Sequence, residues 1–445
     1  MKVTKLGSAT VFIETEDLKI LCDPWLVDGI YHGSWCNYPP VDIESYNFSD
    51  LDFVYVSHIH PDHFDPKTLS RISKNVPILV HNYHKKFLKI NIERLGFSVI
   101  ELDNGIPCKL SENTKFTIFA ADDCDPTICG RMFGCITSEI KGSMQLDSLC
   151  VVDDGNHILV NTNDCPYGIA KHLLKKIKLK YETIDFALVG YTSASLYPHC
   201  MIDYDQTKMQ LSKAKTMEIG LTSGFETLKV LRPKYFLPFA GTYIIGGKYH
   251  YKNKDIPLPE IQDAASELES RLKLIDLQSK AVLLNNGEYF DLVSSEQSSI
   301  YTPINVNKRN LYIKNVASKF EYDFEHDEEP DPNVLIELFD KGFERLKLKQ
   351  EELQFYDDIN LVFDIHDNLF CTINLKKKKL YLLKNIKELT NYHRFSVDTR
   401  LLKKLLMGPK YANWNNVEIG GLLGFSRYPD QYRMDIHILV NALHA

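Results

Sequence analysis

No apolar run in the 445-residue sequence approaches the ~20 residues that a membrane-spanning helix needs, so no membrane span is expected. A basic excess is missing as well. Lys+Arg is 52 against 59 Asp+Glu, a net charge of −7. That argues against nucleic acid as a partner, because no surplus of cations exists to displace its counterions. The opening Met1-Lys2-Val3-Thr4-Lys5-Leu6-Gly7 lacks a long apolar signal segment and a small-residue cleavage site, and the expected location is cytoplasmic. Ten cysteines are present but scattered, which points to reduced thiols rather than a disulfide framework. Cys124, Cys129 and Cys135 lack a tight Cys-x-x-Cys pair. Gly246-Gly247-Lys248 lacks the frame of a phosphate-binding loop. What remains is ordinary globular composition, 44 % apolar and 25 % charged, long enough for two domains.

Short β-branched and aromatic runs, such as Ala9 to Glu14, Leu18 to Cys22 and Asp52 to Ser57, predict strands in the first third. Further on, helical and strand patterns alternate. Helices are expected at 66–74, 83–95, 166–178 and 206–231, and strands at 77–80, 97–102, 115–121, 148–153, 157–161, 183–190 and 234–239. This is an α/β class of layered fold. Between Glu321 and Pro332 stand seven acidic residues and two prolines, which reads as a solvated linker. The expected organisation is a catalytic domain over 1–320, a linker over 321–332 and a small α+β domain over 333–445. The Lys376–Lys379 run reads as a solvated hairpin turn.

One motif carries chemistry. His58-Ile59-His60-Pro61-Asp62-His63 follows a predicted strand, and its His-x-His-x-Asp-His pattern arises by chance roughly once per thousand chains of this make-up. Alternate side chains of an extended stretch share a face, so His58 and His60 can hold one cation. After the turn at Pro61, Asp62 and His63 can reach a second one a few ångströms away, as in two-metal hydrolytic sites. Imidazole suits Zn or Fe, and added carboxylate suits Fe or Mn. One or two divalent transition metal ions, Fe, Zn or Mn, are therefore expected, with Asp62 the leading catalytic residue.

The motif resembles the metal loop of the metallo-β-lactamase superfamily, which implies an αββα sandwich. By that resemblance, Asp23 in Cys22-Asp23-Pro24-Trp25-Leu26 is similar to the family's buried Asp beneath the metal loop, with a turn-capping role as its alternative. Leu159-Val160-Asn161-Thr162-Asn163-Asp164-Cys165 is similar to the strand end that supplies a bridging carboxylate, here Asp164. Asp23 to Leu26, Leu237-Pro238-Phe239-Ala240-Gly241 and, more loosely, Trp414-Asn415-Asn416-Val417-Glu418-Ile419-Gly420 resemble the CMP-N-acetylneuraminate hydroxylase branch.

Three departures from the pattern matter. The branch carries a Rieske iron–sulfur domain ahead of this fold, whereas this sequence opens on the first strand, so electrons are expected from a separate donor protein. Ser143 stands where the superfamily has a histidine, which implies a weak or missing first metal. Ala240 stands where many members have a final histidine. His250 could replace that histidine only if its loop folds back. His199 is a candidate proton shuttle beside the cleft. Arg131 is a candidate contact for an anionic substrate. The resemblance implies oxygenation of an N-acyl, nucleotide-linked sugar, so the expected partner is an anionic or sugar-linked small molecule. The alternatives are a metal-dependent hydrolase of an ester, amide or phosphoester, and a binding protein with a degraded metal site.

Overall fold

The short strands expected in the first third close into one half of a sandwich. The computed structural model describes residues 1–120, 147–192 and 194–445. Its first sheet runs Glu296–Gln297, Tyr289–Asp291, Lys2–Lys5, Val11–Glu14, Lys19–Cys22, Phe53–Tyr55, Ile78–His81 and Val99–Leu102. The second runs Lys280–Ala281, Tyr235–Phe239, Phe186–Gly190, Ile158–Asn161, Ser148–Asp153, Lys115–Ala120 and Cys108–Lys109.

Strand alternation decides which side chains meet between the sheets. Val11 and Ile13 point inward and pack with Ile118, Cys150, Leu159 and Leu188 of the facing sheet. Phe12 points outward, into a core shared with Leu69, Leu88 and Ile92 from the helices Pro66–Leu69 and Phe87–Arg94. On the second sheet, Val160 and Val189 face outward against Leu174, Leu228 and Leu268 from Tyr167–Lys180, Gln206–Leu231 and Ile261–Lys273. Helix, sheet, sheet and helix form the four layers of an αββα sandwich.

A five-stranded sheet follows, in the order Lys379–Leu383, Leu369–Asn374, Asn360–His366, Tyr392–Val397, Leu423–Tyr428. Residues 376–379 are exposed where its first two strands turn. This sheet is joined to the sandwich through backbone. Phe425 N donates to Cys200 O at 2.8 Å, and Ile202 N donates to Phe425 O at 3.0 Å. Lys252, 3 % exposed, donates from Nζ to Gly421 O and Leu423 O, both at 2.6 Å. Two carbonyls thus satisfy a buried ammonium that would otherwise be costly.

The 321–332 segment is not uniformly solvated as its composition suggested. Tyr322 and Phe324 are fully buried in the core of the C-terminal sheet, beside Cys200 and Met201 of the sandwich. Tyr322 and Phe324 turn inward, while Glu321 and Asp323 stay outside. The acidic composition masked an aromatic pair.

Among the described residues, no helix is long and apolar enough to cross a membrane. Seven cysteines there are unpaired, in keeping with reduced thiols. Because Phe324 is enclosed, Phe324→Ala is expected to lower the unfolding free energy by about 3–5 kcal/mol in a urea titration. A loss below about 1 kcal/mol would mean that the segment is a loose tether.

Candidate metal centre

The centre is built where the Phe53–Tyr55 strand leaves its sheet. His60 O accepts from His63 N at 3.0 Å and from Phe64 N at 2.9 Å, a tight turn that brings His63 back beside His58. Asp65 then starts the Pro66–Leu69 helix by accepting from Lys67 N and Thr68 N, which fixes where the loop ends. Asp147 and Asp164 arrive from the other sheet. The antiparallel pairing Cys150↔Asn161, continued outward along the two strands, sets position 147 opposite 164. Asn163 Nδ2 donates to Ser148 O at 3.0 Å across that pair.

Two sets of donor atoms result, each closing to within 4.8 Å: His58, His60 and Asp147, and His58, His63 and Asp164. His58 Nε2 lies 2.8 Å from His60 Nδ1 and 3.3 Å from Asp147. His63 Nε2 lies 3.2 Å from Asp164 and 3.5 Å from Asp62. His58 is common to the two sets, and Asp164 belongs to the second. The three histidines of the loop therefore come together: His58 and His60 share one set, as their spacing suggested, whereas the second set joins His63 to His58 and Asp164, with Asp62 alongside.

Asp23 lies against the histidine loop. It is fully buried with φ 47°, a conformation that a non-glycine residue adopts only at a cost. Oδ1 accepts from Ser57 N at 2.8 Å, and Oδ2 lies 3.3 Å from His63 Nδ1. Held in this way, His63 turns Nε2 toward Asp62 and Asp164. Ser57 Oγ sits 3.0 Å from His58 Nδ1 and 3.3 Å from His63 Nδ1.

The Ser143 departure has a counterpart in the structure. Ser143 lies outside the described residues, as do Arg131, Cys124, Cys129 and Cys135. Asp147 supplies a carboxylate to the first donor set, so that set is not left short of a third ligand. Ala240 has φ 51° and brings no donor side chain. His250 does not replace it, because its Nδ1 is engaged by Gly247 O at 3.0 Å and it joins neither donor set. His199 is 5 % exposed, and neither ring nitrogen has a hydrogen-bond partner. Burial, with Lys252 adding to it, pushes its pKa down to about 3. This neutral ring has no hydrogen-bond partner through which to pass a proton.

Sequence reasoning also missed Tyr31, whose hydroxyl donates to Asp62 Oδ1 at 2.5 Å. The missing signal for Asp147 was available. Pairing the expected strands 148–153 and 157–161 as a hairpin sets Asp147 across from Asp164.

Burial dominates the electrostatics. It lowers His58 and His60 to about 4, which leaves both as neutral imidazoles with a free lone pair at pH 7. It raises Asp147 to about 7, with the nearby Asp164 charge adding to the rise. For His63, burial acts downward but is outweighed by Asp164, Asp23 and Asp62, so the ring holds a proton well above its usual range. Asp62 is pushed up by burial, yet His63, His60 and the Tyr31 hydroxyl hold it well below the usual carboxylate range. Three carboxylates and three imidazoles converge with His63 Nε2 lacking a well-aligned hydrogen bond. This donor chemistry fits divalent cations of the Fe, Zn or Mn type.

Residues 2–171 match the family model described as "Beta-lactamase superfamily domain". These residues begin the αββα sandwich, and that layer order is the one of the metallo-β-lactamase fold. Among curated relatives, a "Putative Rieske 2Fe-2S iron-sulfur protein" of Mycolicibacterium smegmatis is 40 % identical over 99 residues, 22 % of this chain and 19 % of the relative. The cytidine monophosphate-N-acetylneuraminic acid hydroxylase of Pongo pygmaeus is 25 % identical over 283 residues, 61 % of this chain and 43 % of the hydroxylase. The chain spans less than half the length of each of these relatives. Among solved structures, the isothiocyanate hydrolase from Delia radicum gut bacteria aligns with a TM-score of 0.44 at 15 % identity, over 65 % of this chain and 98 % of that one.

Two outcomes follow for metal uptake. At pH 6 the metal-free protein carries a proton on Asp147 and another on His63, and both must leave before those atoms bind cations. Loading with Zn at pH 6 is expected to release about two protons, and affinity should rise as pH increases toward 8. Calorimetric titrations in buffers of different ionisation heat would count them, and a count of zero would contradict the protonation assigned here. Asp147→Ala should cost one metal equivalent and spare the other, read by elemental analysis. Retention of both would remove Asp147 from the centre.

Proposed function

We propose that the chain is a metal-dependent enzyme that hydroxylates an anionic small molecule, with two metal ions held by His58, His60 and Asp147 and by Asp62, His63 and Asp164. Asp164 is the carboxylate shared between them, and Asp23 is the buried support under His63. The observation that carries this reading is the two-imidazole, one-carboxylate set of His58, His60 and Asp147. Such a set would leave coordination positions open, as in non-haem iron oxygenases and in catalytic zinc sites, whereas a structural zinc site is closed; the hydroxylase relatives favour the iron reading. When bound, such ions supply Lewis acidity and, in the case of iron, electrons to dioxygen.

The surrounding residues orient and enclose. Tyr31 stays a neutral phenol, because burial and then the Asp62 charge push its pKa well up, so its O–H continues to hold Asp62 in place. Trp35 and Tyr243 stack with ring centroids 3.5 Å apart, and with Trp25 and Ile419 they form an apolar wall behind Tyr31 that keeps water off that side. The hydroxylase relatives suggest the substrate class, a nucleotide-linked N-acyl sugar acid. In the reaction a C–H bond gives way to C–OH, the second oxygen atom of O2 leaves as water, two electrons come from an external ferredoxin-type donor and two protons come from solvent.

The test compares the Fe-loaded and Zn-loaded protein on CMP-linked N-acyl sugars and on generic ester and phosphoester substrates, in air and without oxygen, with and without reductant. Turnover only with iron, oxygen and reductant is the expected result. Oxygen-independent turnover by the Zn form would replace hydroxylation with hydrolysis.

A further inference from the structure

The Trp414–Ile419 helix belongs to the C-terminal part of the chain, more than 340 residues from the metal loop, yet it reaches both halves of the metal centre. On one side, Asn415 Nδ2 lies 2.9 Å from His60 Nε2. On the other, Gly420 packs so closely on Tyr31 that a Cβ there would sit 2.9 Å from the Tyr31 Cβ, and Tyr31 is the residue that holds Asp62. The helix is fixed in this place. Asn413 caps it by accepting from Asn416 N at 2.8 Å. Ser34 Oγ donates to Gly420 O at 2.5 Å, and Lys252 Nζ donates to Gly421 O at 2.6 Å.

We propose that Asn415 is a positioning residue for the metal ligand His60, so that the C-terminal part of the chain completes the metal centre. The inference rests on the metal-binding reading given above. Its chemistry follows from the tautomer of one ring. His60 Nδ1 faces His58 Nε2 at 2.8 Å, so these two nitrogens are the pair aimed at a shared cation. A neutral imidazole that gives its Nδ1 lone pair to a metal carries its proton on Nε2. That Nε2–H needs an acceptor, and Asn415 is the side chain beside it. Rotating the Asn415 amide by half a turn brings Oδ1 to the place where Nδ2 is drawn, so the same contact can accept the proton. Outer hydrogen bonds of this kind fix the tautomer and ring angle of a ligating histidine, and their loss typically weakens metal binding 10–100-fold.

Asn415 is exposed, so replacing it leaves the core untouched and separates positioning from folding. The experiment uses the full chain, with Zn(II) in competition against a chromophoric chelator and Co(II) absorption spectra as a report on ligand geometry. Asn415→Ala is expected to raise the apparent Kd of one of two metal equivalents by about 10–100-fold and to alter the Co(II) spectrum, while Asn415→Asp, which keeps an acceptor, stays within about threefold of the parent. Melting of the metal-free Asn415→Ala protein should match the parent. Equal metal affinity in the parent and Asn415→Ala would overturn the role of Asn415 and leave the metal centre standing. Equal weakening in the Ala and Asp variants would also overturn it, by pointing to shape rather than an acceptor. A parent that binds no metal would remove the metal-centre reading and this inference together.

Discussion

Three carboxylates and three imidazoles drawn from two sheets are held within a few ångströms of each other, mostly out of water, and this crowding is the constraint on which the rest of the structure depends. Without cations the cluster balances itself by holding protons where isolated groups would not. Asp147 is raised to about 7 and His63 keeps its proton, both for want of a better countercharge. Divalent cations bound here would offset the carboxylate charge and displace those protons. The strained backbone at Asp23 and Asn163, both at positive φ, lies beside this cluster, where local strain is sustained by the packing of both sheets.

The sandwich contributes precision through parallel support. The loop that carries His58, His60, Asp62 and His63 leaves one sheet. The ends of a hairpin in the other sheet carry Asp147 and Asp164. Ser57 O accepts from Ser148 Oγ at 2.7 Å and from the Tyr83 hydroxyl at 2.7 Å, so the two contributions are tied at the point where they meet. Centres supported by rigid elements and outer hydrogen bonds hold their geometry better than centres on free loops.

What could be read in the sequence was what is local in the chain. Four ligands within six residues, at the end of a β-branched strand, announce a metal loop without any knowledge of the fold. The layered α/β class was legible in the alternation of strand and helix patterns, whereas the αββα order followed from the resemblance of the metal loop to the metallo-β-lactamase superfamily. Asp147, Tyr31 and Asn415 were not recognised, because each acts through a partner far away in sequence: Asp147 through a hairpin register, Tyr31 through a turn between Gly29 and Gly33, and Asn415 through a contact 355 residues from His60. Composition misled over 321–332, where seven acidic residues outweighed Tyr322 and Phe324 although those two decide where the segment sits. The final superfamily histidine was sought at His250, which is held by its own 3-10 helix and turned to Gly247 O.

Anomalous diffraction at the iron edge from crystals of the iron-loaded protein tests the central claim most directly. The account predicts two peaks about 3.5–4 Å apart, one against His58, His60 and Asp147 and the other against Asp62, His63 and Asp164. A single peak that leaves Asp147 and His60 without metal, or no peak within reach of these six side chains, would contradict it.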